Sequence, residues 1–434
     1  MAKNKQNSNV NTEQTQSDID SVISDLISVL KAKKNLILQG APGTGKTYIA
    51  KKIAKKLIGD DYANSEQFKI VQFHPSYTYE DFVRGIVATV DNEGKMTYSP
   101  TNKLMTEFAK IAHENFIDSG KQPIDKHKLN WVREQWSHYK EYLRNTMQSQ
   151  DEVQIGKSYT LNDVNARNIT VGSYTISDNL IVESYIATKI NNDSTYSPKY
   201  SRRVTTTIVE EFAKYLEQTN IKYNTPDDAP TAEIQRKDYI LIIDEINRAN
   251  LPMVLGELMY ALEYRGQNVD TPYDVEGERG VILPHNLYII GTMNTADRSV
   301  GHIDYAIRRR FAFEYIKPRE LSNTELNCDN TNETAKKGSK TNNQITWKFE
   351  HDLFKKVQSL FDHNTWLSEE FDKRDVAIGH SYFITTKDQE NGMTKEWRIK
   401  YEIRPLLEEY VKDGILKKEN NNTKIEDELN RILK

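Results

Sequence analysis

One glycine-rich run constrains the fold of this chain more than any other segment: Gly40-Ala-Pro-Gly-Thr-Gly-Lys46-Thr47. It fits the pattern GxxxxGK[ST] without deviation. An apolar run, 35–39, precedes it and a helical pattern, 48–58, follows it, so the sequence predicts a strand, a loop and a helix in that order. Glycines let backbone N–H groups approach phosphate oxygens closely, and a helix N-terminus adds partial positive charge. The run therefore predicts a phosphate-binding loop.

We expect this loop to bind a nucleoside triphosphate together with Mg²⁺. Lys46 would contact the β- and γ-phosphates, and the Thr47 hydroxyl would be a ligand of Mg²⁺. The alternative, a chance glycine loop before a helix, is disfavoured by a pair of acids further along the chain. The residues expected to contact the nucleotide are Gly40, Ala41, Pro42, Gly43, Thr44, Gly45, Lys46, Thr47, Tyr48 and Asp244.

The paired acids end a buried-strand pattern, Tyr239-Ile-Leu-Ile-Ile-Asp244-Glu245. Such a strand carries Asp244 to the carboxyl edge of a sheet, where α/β folds bind ligands. Asp244 would hold Mg²⁺ directly or through water. Glu245 points elsewhere and is suited to polarise a water for attack on the γ-phosphate. Acids at strand ends are often solvated turn residues, and only the pairing with the glycine loop makes the catalytic interpretation strong.

Two further features complete the predicted site. Asn294 ends the next apolar run, 286–293, and its amide could hold the attacking water between Glu245 and the γ-phosphate. A polar cap of the strand is the alternative. Three arginines, 308–310, close the following predicted helix. They would either complement the helix dipole and face solvent, or contact a γ-phosphate bound to a neighbouring subunit, which requires an oligomer.

Composition limits the class of protein. The net charge of -4 argues against a general polyanion binder, although local basic patches remain possible. Cys328 is the single cysteine, so no internal disulfide can form, and a reducing cytoplasm is the expected location. No apolar stretch approaches the roughly 18 residues that a membrane span needs. The N-terminal residues lack the apolar segment of a secretion signal.

The expected fold is α/β, with a parallel sheet flanked by helices. The central part, 120–233, changes pattern and predicts an inserted α+β module, with helices at 131–147 and 204–216 and short strands over 156–190. Its Trp131 and Trp136 could stack on bases, but use in a core is favoured because the module has no basic surplus. The predicted parts are a disordered tail at 1–16, an α/β core at 17–119 and 234–320, the insert at 120–233, a linker at 321–346 and a helical lid domain at 347–434.

The core pattern predicts further elements with less specific signals. Ser17 is a plausible cap for a first helix, and a single helix is expected over 252–264. The segment 266–280 reads as polar and turn-rich, and a short helix is expected over 302–309 before a strand at 311–316.

Several of these runs together resemble the AAA+ superfamily and, more narrowly, the McrB family of GTP-hydrolysing motor subunits of modification-dependent restriction systems. The resemblance covers about 35–119 and 236–318, and more loosely 378–383 and 404–410. The runs that carry it are Val71-Gln-Phe-His-Pro-Ser-Tyr-Thr-Tyr-Glu-Asp-Phe82, Ile243-Asp-Glu-Ile-Asn-Arg-Ala-Asn250, and Gly291-Thr-Met-Asn-Thr-Ala-Asp-Arg-Ser299 continuing to Asp304-Tyr-Ala-Ile-Arg-Arg-Arg-Phe311.

The resemblance implies a ring, expected to be hexameric, with nucleotide between subunits. By matching position, Glu245 would be the catalytic acid and Asn294 the sensor that positions water, with Arg309 and Arg310 acting between subunits. Two acids, 297 and 304, are expected to orient these arginines. GTP is favoured over ATP, with Mg²⁺ as cofactor. The implied partner is a McrC-like nuclease, with DNA contacted through the complex in defence against foreign or modified DNA.

The chain also departs from the family pattern. The family carries a DNA-reading domain ahead of its motor, whereas the phosphate-loop strand begins here at Asn35, so a short form is expected. Three roles are open for the insert: to replace that reader, to contact a partner, or to pack against its own ring. One alternative function is an ATP-driven protein remodeller of the dynein-related or MoxR-like type. Another is a nucleotide-gated scaffold, although such a module usually loses the residues of hydrolysis, and all of them are present here.

Overall fold

The structure is a computed structural model that describes residues 6–90, 96–120, 123–150, 152–165, 168–198, 201–223, 235–275, 277–297, 303–322, 325–326, 347–363, 365–386, 393–420 and 422–434. The chain divides into two compact units. The first unit is Met1–Phe82, Asp238–Arg265 and Leu287–Lys434, and the second unit is Val83–Lys237 and Gly266–Asn286. The second unit is therefore wider than the predicted insert, since it also takes in 83–119 and 266–286.

A five-stranded parallel sheet forms the centre of the first unit. The strand order is β5-β1-β4-β3-β2. In register, Gly40 at the end of β1 lies beside Asn294 at the end of β4, which brings the phosphate loop and the predicted sensor to one sheet edge. The strands are β1 Asn35–Gly40, β2 Phe68–Gln72, β3 Tyr239–Asp244, β4 Leu287–Asn294 and β5 Ala312–Tyr315.

The three central strands are apolar over nearly their whole length because the sheet is covered on both faces. Every residue of β1 is buried, as are the first five of β3, which is typical of parallel sheets between helices. The helix Lys46–Ile58 packs Ala50, Ile53 and Ala54 into the core formed with the sheet. The other helices of this part are Gln6–Lys33, Tyr79–Phe82, Leu251–Leu255, Leu258–Glu263 and Tyr305–Arg310, with single 3₁₀ turns at Tyr62–Asn64 and Ile246–Arg248.

Two boundaries in this unit differ from the sequence prediction. The first helix begins at Gln6 rather than at Ser17, so most of the predicted disordered tail 1–16 is helical, and residues 1–5 lie outside the described part. The helix predicted over 252–264 is two short helices instead. Gly256 separates them, because its φ of 47° lies in the left-handed region that glycine tolerates and a helix does not contain.

The C-terminal part of the first unit is predominantly helical and has its own apolar core, as predicted for a lid. Phe349, Phe361 and Phe383 are fully buried in that core. The predicted linker 321–346 lies mostly outside the described residues. The elements are helices His351–Gln358, Lys373–Val376, Lys395–Arg398, Arg404–Lys412 and Ile425–Ile432, a π-helical turn Ile399–Ile403, 3₁₀ turns Ser359–Phe361 and His380–Phe383, and short strands Trp347–Phe349, Ile384–Thr386, Glu419–Asn420 and Thr423–Lys424.

The second unit is an α+β module, in agreement with the pattern of its sequence. A four-stranded antiparallel sheet and the helices around it enclose a core that contains Trp136, Tyr139 and Phe212. Trp136 is 2% exposed, so it serves the core, as favoured over base stacking. The elements are strands Arg84–Val90, Met96–Asn102, Gln154–Ile155, Tyr159–Val164, Asn168–Val171, Tyr174–Ser177, Asn268–Val275 and Glu278–Ile282, and helices Leu104–Asp118, Pro123–Ser149, Asp178–Tyr185 and Arg202–Gln218, with a π-helical turn Ile186–Ile190.

Two segments of this unit were predicted wrongly. The strands expected over 156–190 end at Ser177, whose hydroxyl accepts a hydrogen bond from Leu180 N at 3.4 Å and begins a helix. The segment 266–280, expected to be turn-rich, contributes to an antiparallel hairpin of Asn268–Val275 with Glu278–Ile282. In the first strand of this hairpin, exposed residues alternate with partly or fully buried ones. In the sequence this alternation is a weaker pattern than the polar residues typical of turns, so the sequence alone indicates turns.

A buried arginine joins the two hairpins of the second unit. Arg84 is 1% exposed. Its Nε donates to Asn102 Oδ1 at 2.8 Å, and its Nη1 donates to Thr271 Oγ1 at 2.7 Å and to the carbonyl oxygens of Tyr273 and Arg279. These oxygens satisfy N–H donors that would be costly to bury without partners, which explains how an arginine can be buried there.

Within the described residues, none of the helices has the length and apolarity needed to cross a bilayer.

Candidate nucleotide-binding site

The phosphate loop adopts a backbone conformation that glycine takes without the steric strain a side chain would cause. Gly43 and Gly45 have φ values of 77° and 80°, in the left-handed region. Thr44 is buried, and its hydroxyl donates to Ala41 O at 3.0 Å, which closes the loop on itself. Ile49 N donates to Gly45 O at 2.9 Å, so the helix begins directly after the loop.

Lys46 lies buried inside this loop. Its Nζ donates to Gly40 O at 3.0 Å, to Ala41 O at 2.9 Å and to Asn294 Oδ1 at 2.6 Å. Burial lowers the pKa of Lys46 to about 8, and the nearby carboxylates of Glu245 and Asp244 offset part of that effect. All three acceptors are neutral oxygens, so the cradle holds a positive charge that an anion would complement.

The metal-ligand candidates lie together at the adjacent strand end. Thr47 Oγ1 donates to Asp244 Oδ1 at 2.7 Å. The same oxygen accepts from Thr292 Oγ1 at 2.6 Å, a contact that the sequence analysis did not identify. Thr292 precedes Asn294 by two residues in β4 and so faces the same side of the sheet. A hydroxyl and a carboxylate in contact are the oxygen ligands that Mg²⁺ prefers, so this pair fits the metal.

Glu245 is held in a strained position beside the two strand ends. Its φ of 52° is unusual for a residue with a side chain. Glu245 Oε1 accepts from Asn294 Nδ2 at 2.6 Å, and Oε2 accepts from Arg248 Nε at 3.4 Å. Arg248 also lies 3.6 Å from Asp297. The structure therefore brings Lys46, Asn294 and Glu245 into one hydrogen-bonded chain, as their sequence positions predict.

The arginine cluster divides into two kinds of side chain. The side chain of Arg309 is 66% exposed and pairs with Glu263 at 2.7 Å. The Arg310 side chain is 13% exposed and donates to Met259 O at 2.5 Å and Ala306 O at 2.8 Å. Arg310 is thus committed to contacts inside its own chain, whereas Arg309 faces outward.

The two acids expected to orient these arginines, Asp297 and Asp304, make other contacts in the structure. Asp304 caps the helix Tyr305–Arg310, since its Oδ1 accepts from Ile307 N at 2.8 Å. Asp297 pairs with Arg248 at 3.6 Å. Asp304 caps the helix that carries the arginines because a carboxylate directly before a helix satisfies the helix's free N–H groups, and its expected role toward the arginines stays a prediction.

The lid contributes a backbone contact to the phosphate loop that the sequence analysis missed. Gly379 N donates to Pro42 O at 2.9 Å, and Ser381 N donates to Gly43 O at 3.0 Å. A Cβ atom at Gly379 would lie 1.9 Å from the Gly43 carbonyl carbon. In the sequence, the run 378–383 shows only a loose family resemblance. Its Gly379 is the residue that could have indicated a close approach of two backbone segments.

A cavity of about 450 Å³ lies beside the point where the loop becomes a helix. Tyr48, predicted to contact nucleotide, is part of its wall and is 44% exposed. His380 also lines the cavity beside the loop, with its Nε2 3.2 Å from the place where a Gly45 Cβ would be. Burial, with a smaller contribution from the charge of Arg319, lowers the pKa of His380 to about 3, so this imidazole is neutral at physiological pH.

Comparisons with known proteins give two family matches. A family model described as "AAA domain (dynein-related subfamily)" matches residues 35–121 and 198–311. A second, described as "McrB, alpha-helical lid domain", matches residues 357–419.

Two curated relatives are both restriction proteins. The "Type IV methyl-directed restriction enzyme EcoKMcrB subunit" of Escherichia coli (strain K12) is 27% identical over 419 residues, which is 94% of this chain and 60% of that protein. The "Type II restriction enzyme BsuMI component YdiS" of Bacillus subtilis (strain 168) is 36% identical over 94 residues, which is 18% of this chain and 27% of that protein.

The sheet order, the phosphate loop and the matched AAA domain define the class: this is an AAA+ protein, and the enzymes of that class hydrolyse nucleoside triphosphates. Its helical lid matches the McrB lid, and nearly its whole length aligns with an McrB subunit. The chain therefore resembles McrB subunits along most of its length and in its lid.

Proposed function

We propose that this chain is a Mg²⁺-dependent triphosphatase that prefers GTP to ATP and forms a ring motor for a McrC-like nuclease in DNA restriction. The observation that carries the proposal is the hydrogen-bonded chain from Lys46 through Asn294 to Glu245, in a protein with an McrB-type lid. One amide connects the lysine expected at the γ-phosphate with the carboxylate expected to activate water.

Each residue of this network has a proposed role. Lys46 and the backbone of the phosphate loop would hold the β- and γ-phosphates. Thr47 and Asp244 would hold Mg²⁺, which supplies charge neutralisation between the phosphates. Glu245 would accept a proton from the attacking water, and Asn294 would orient that water. The hydrogen bonds from Asn294 and Arg248 hold both oxygens of the Glu245 carboxylate, which supports this role.

We assign the action between subunits to Arg309. An arginine that reaches a neighbour's γ-phosphate must be exposed in the free protomer, and the Arg309 side chain is 66% exposed against 13% for Arg310. Glu263 holds Arg309 at 2.7 Å and would release it when a phosphate competes. Arg310 would then support the helix that presents Arg309. The ring, expected to be hexameric, supplies the neighbouring site.

The proposed partner follows from the relatives. Both are named as parts of restriction enzymes, and one as an McrB subunit. We propose that this chain drives a nuclease resembling McrC, which cuts DNA, and that DNA is contacted through the complex in defence against foreign DNA.

The description of the matched AAA domain as dynein-related favours a second candidate, an ATP-driven protein remodeller. The two candidates differ in nucleotide and in partner. A remodeller would hydrolyse ATP without a nuclease, whereas the motor proposed here would hydrolyse GTP faster when the nuclease is present.

The test is turnover by the purified chain with GTP and with ATP, alone and with a McrC-like nuclease added. The expected result is GTP hydrolysis in a sedimenting ring that rises when the nuclease is added. A chain that stays monomeric, or one that hydrolyses ATP at the same rate with and without the nuclease, contradicts the motor.

A further inference from the structure

The cavity beside Gly45 and Tyr48 has the size and lining of a site for a flat heterocycle. Its volume is about 450 Å³, within the range of small-ligand sites. Most of its wall is apolar or aromatic, which suits the faces of a purine. The lining residues are Gly45, Tyr48, Arg319, Leu321, Glu325, Leu326, Trp347, His380, Ser381, Ile384, Met393 and Arg398.

The cavity lies at the end of the phosphate loop where a base is expected. Lys46 and Thr47 mark the place of the β- and γ-phosphates, and Tyr48 follows them on the first turn of the helix. A triphosphate held by the loop would extend its sugar and base away from Glu245. Gly45 and Tyr48 are shared between the loop and the cavity, so one nucleotide can occupy both.

The polar groups of the wall are few, and most are already committed. Arg398 is paired with Glu402 and donates to Ile384 O at 3.0 Å. His380 is neutral, as argued above from its burial. Among the described residues that line the cavity, Glu325 is the only carboxylate. Its side chain is 12% exposed, and both of its oxygens accept from the guanidinium of Arg319.

We propose that Glu325, held in place by Arg319, makes this site prefer guanine to adenine. The inference rests on the proposed nucleotide function of the same site. Arg319 takes one lone pair of each carboxylate oxygen, which fixes the plane of the carboxylate and leaves the other lone pairs for a ligand.

The chemistry of the two bases explains the preference. Guanine presents two adjacent donors, N1–H and the 2-amino group, which match the two oxygens of a carboxylate. Adenine presents an acceptor, N1, at the corresponding place and has no 2-amino group. A carboxylate facing that edge would bind guanine by two charge-assisted hydrogen bonds and would meet a lone pair of adenine. A pocket built to accept donors discriminates strongly against a ligand that lacks them.

The test is the equilibrium binding of fluorescent GTP, ITP and ATP analogues to the whole chain and to Glu325→Gln. ITP keeps N1–H and lacks the 2-amino group, so it reports one of the two hydrogen bonds. The wild-type chain should bind in the order GTP, ITP, ATP. Glu325→Gln should reduce the GTP-over-ATP preference by at least about tenfold, because an amide presents one acceptor and one donor.

A matched control is Glu428→Gln. Both carboxylate oxygens of Glu428 also accept from one guanidinium, that of Arg431, and the Glu428 side chain is 17% exposed. Glu428 does not line the cavity. This variant should keep the wild-type order and affinities. The melting temperature and the ATP affinity of Glu325→Gln report whether its fold and phosphate grip are intact.

The outcomes separate the inference from the function it rests on. If no triphosphate binds the wild-type chain, the proposed function fails. If GTP is preferred and Glu325→Gln retains that preference, the role of Glu325 is contradicted while the function stands. It is also contradicted if the wild-type chain prefers ATP, or if Glu325→Gln loses GTP and ATP binding equally, since the pair would then be structural.

Discussion

Asn294 Nδ2 donates to Glu245 Oε1 across 2.6 Å, while Oδ1 of the same amide accepts from Lys46 Nζ, also at 2.6 Å. The parallel pairing of β1 with β4 fixes this relationship, because it sets Gly40 beside Asn294. A phosphate that draws on Lys46 would weaken its bond to the amide, and Asn294 would then be free to turn toward water. These contacts would couple the position of Glu245 to the occupancy of the phosphate loop.

Glu245→Gln should retain nucleotide binding and lose hydrolysis. The amide keeps the size of the side chain and can still bond Asn294, but it cannot accept a proton from water. Turnover should fall by about 10²–10⁴-fold, the usual contribution of a general base, while the dissociation constant stays close to that of the wild type. Steady-state hydrolysis and calorimetric binding measure the two quantities. Unchanged turnover would refute the assignment.

Nucleotide binding should take up a proton at alkaline pH. Burial lowers the pKa of Lys46 to about 8 in the free chain, and bound phosphates would raise it again. Near pH 9 most of the Lys46 amines are neutral before binding and charged after it, so binding takes up a proton and weakens as pH rises. Calorimetry in buffers of different ionisation enthalpy measures this uptake. Uptake that is the same near pH 7 as near pH 9 would contradict the role of Lys46.

Gly379→Ala should loosen the lid from the phosphate loop. Its φ of -70° suits alanine, so the effect comes only from the new Cβ, which would lie 1.9 Å from the Gly43 carbonyl carbon. Overpacking of this kind costs about 1–3 kcal/mol, and we expect at least about a tenfold loss of nucleotide affinity. Gly120→Ala is the control, since its Cβ would have its nearest neighbour at 3.5 Å. Equal affinities of the two variants would exclude a role for the contact.

Arg309→Ala should leave binding to the protomer intact and lower turnover in the assembled ring. Arg309→Ala chains still carry Glu245, and Glu245→Gln chains still carry Arg309, so a mixture of the two should regain activity at shared interfaces. Failure of that complementation would remove support for action between subunits. Arg310→Ala is expected to act differently: it removes hydrogen bonds to Met259 and Ala306 and should lower the free energy of unfolding by about 1–3 kcal/mol.

The sequence predicted the parts of the site whose signals are local. The phosphate loop is one contiguous motif, and the acids and Asn294 follow apolar strands directly. Parallel strands end at a common sheet edge, so three separated runs could be placed together without coordinates. Their contacts in the structure, such as Thr47 with Asp244, agree with that placement.

What the sequence did not reveal depends on contacts between distant segments. The bonds of Gly379 and Ser381 to the phosphate loop join residues more than three hundred positions apart, and no periodicity records them. The hydrogen bonds of the buried Arg84 guanidinium in the second unit are of the same kind, because they depend on the pairing of two hairpins that lie far apart in the sequence. The sequence also did not show that Asp304 caps the helix that carries the arginines.

The most direct test of the account is calorimetric titration of GTP with Mg²⁺ into the wild-type chain and into Lys46→Ala. The account predicts saturable binding to the wild-type chain and none to the variant, because the buried ammonium and its loop grip the phosphates. Circular dichroism of the variant is the control that tests whether its fold is retained. Binding of equal affinity to Lys46→Ala would contradict the phosphate-loop assignment on which the proposed function depends.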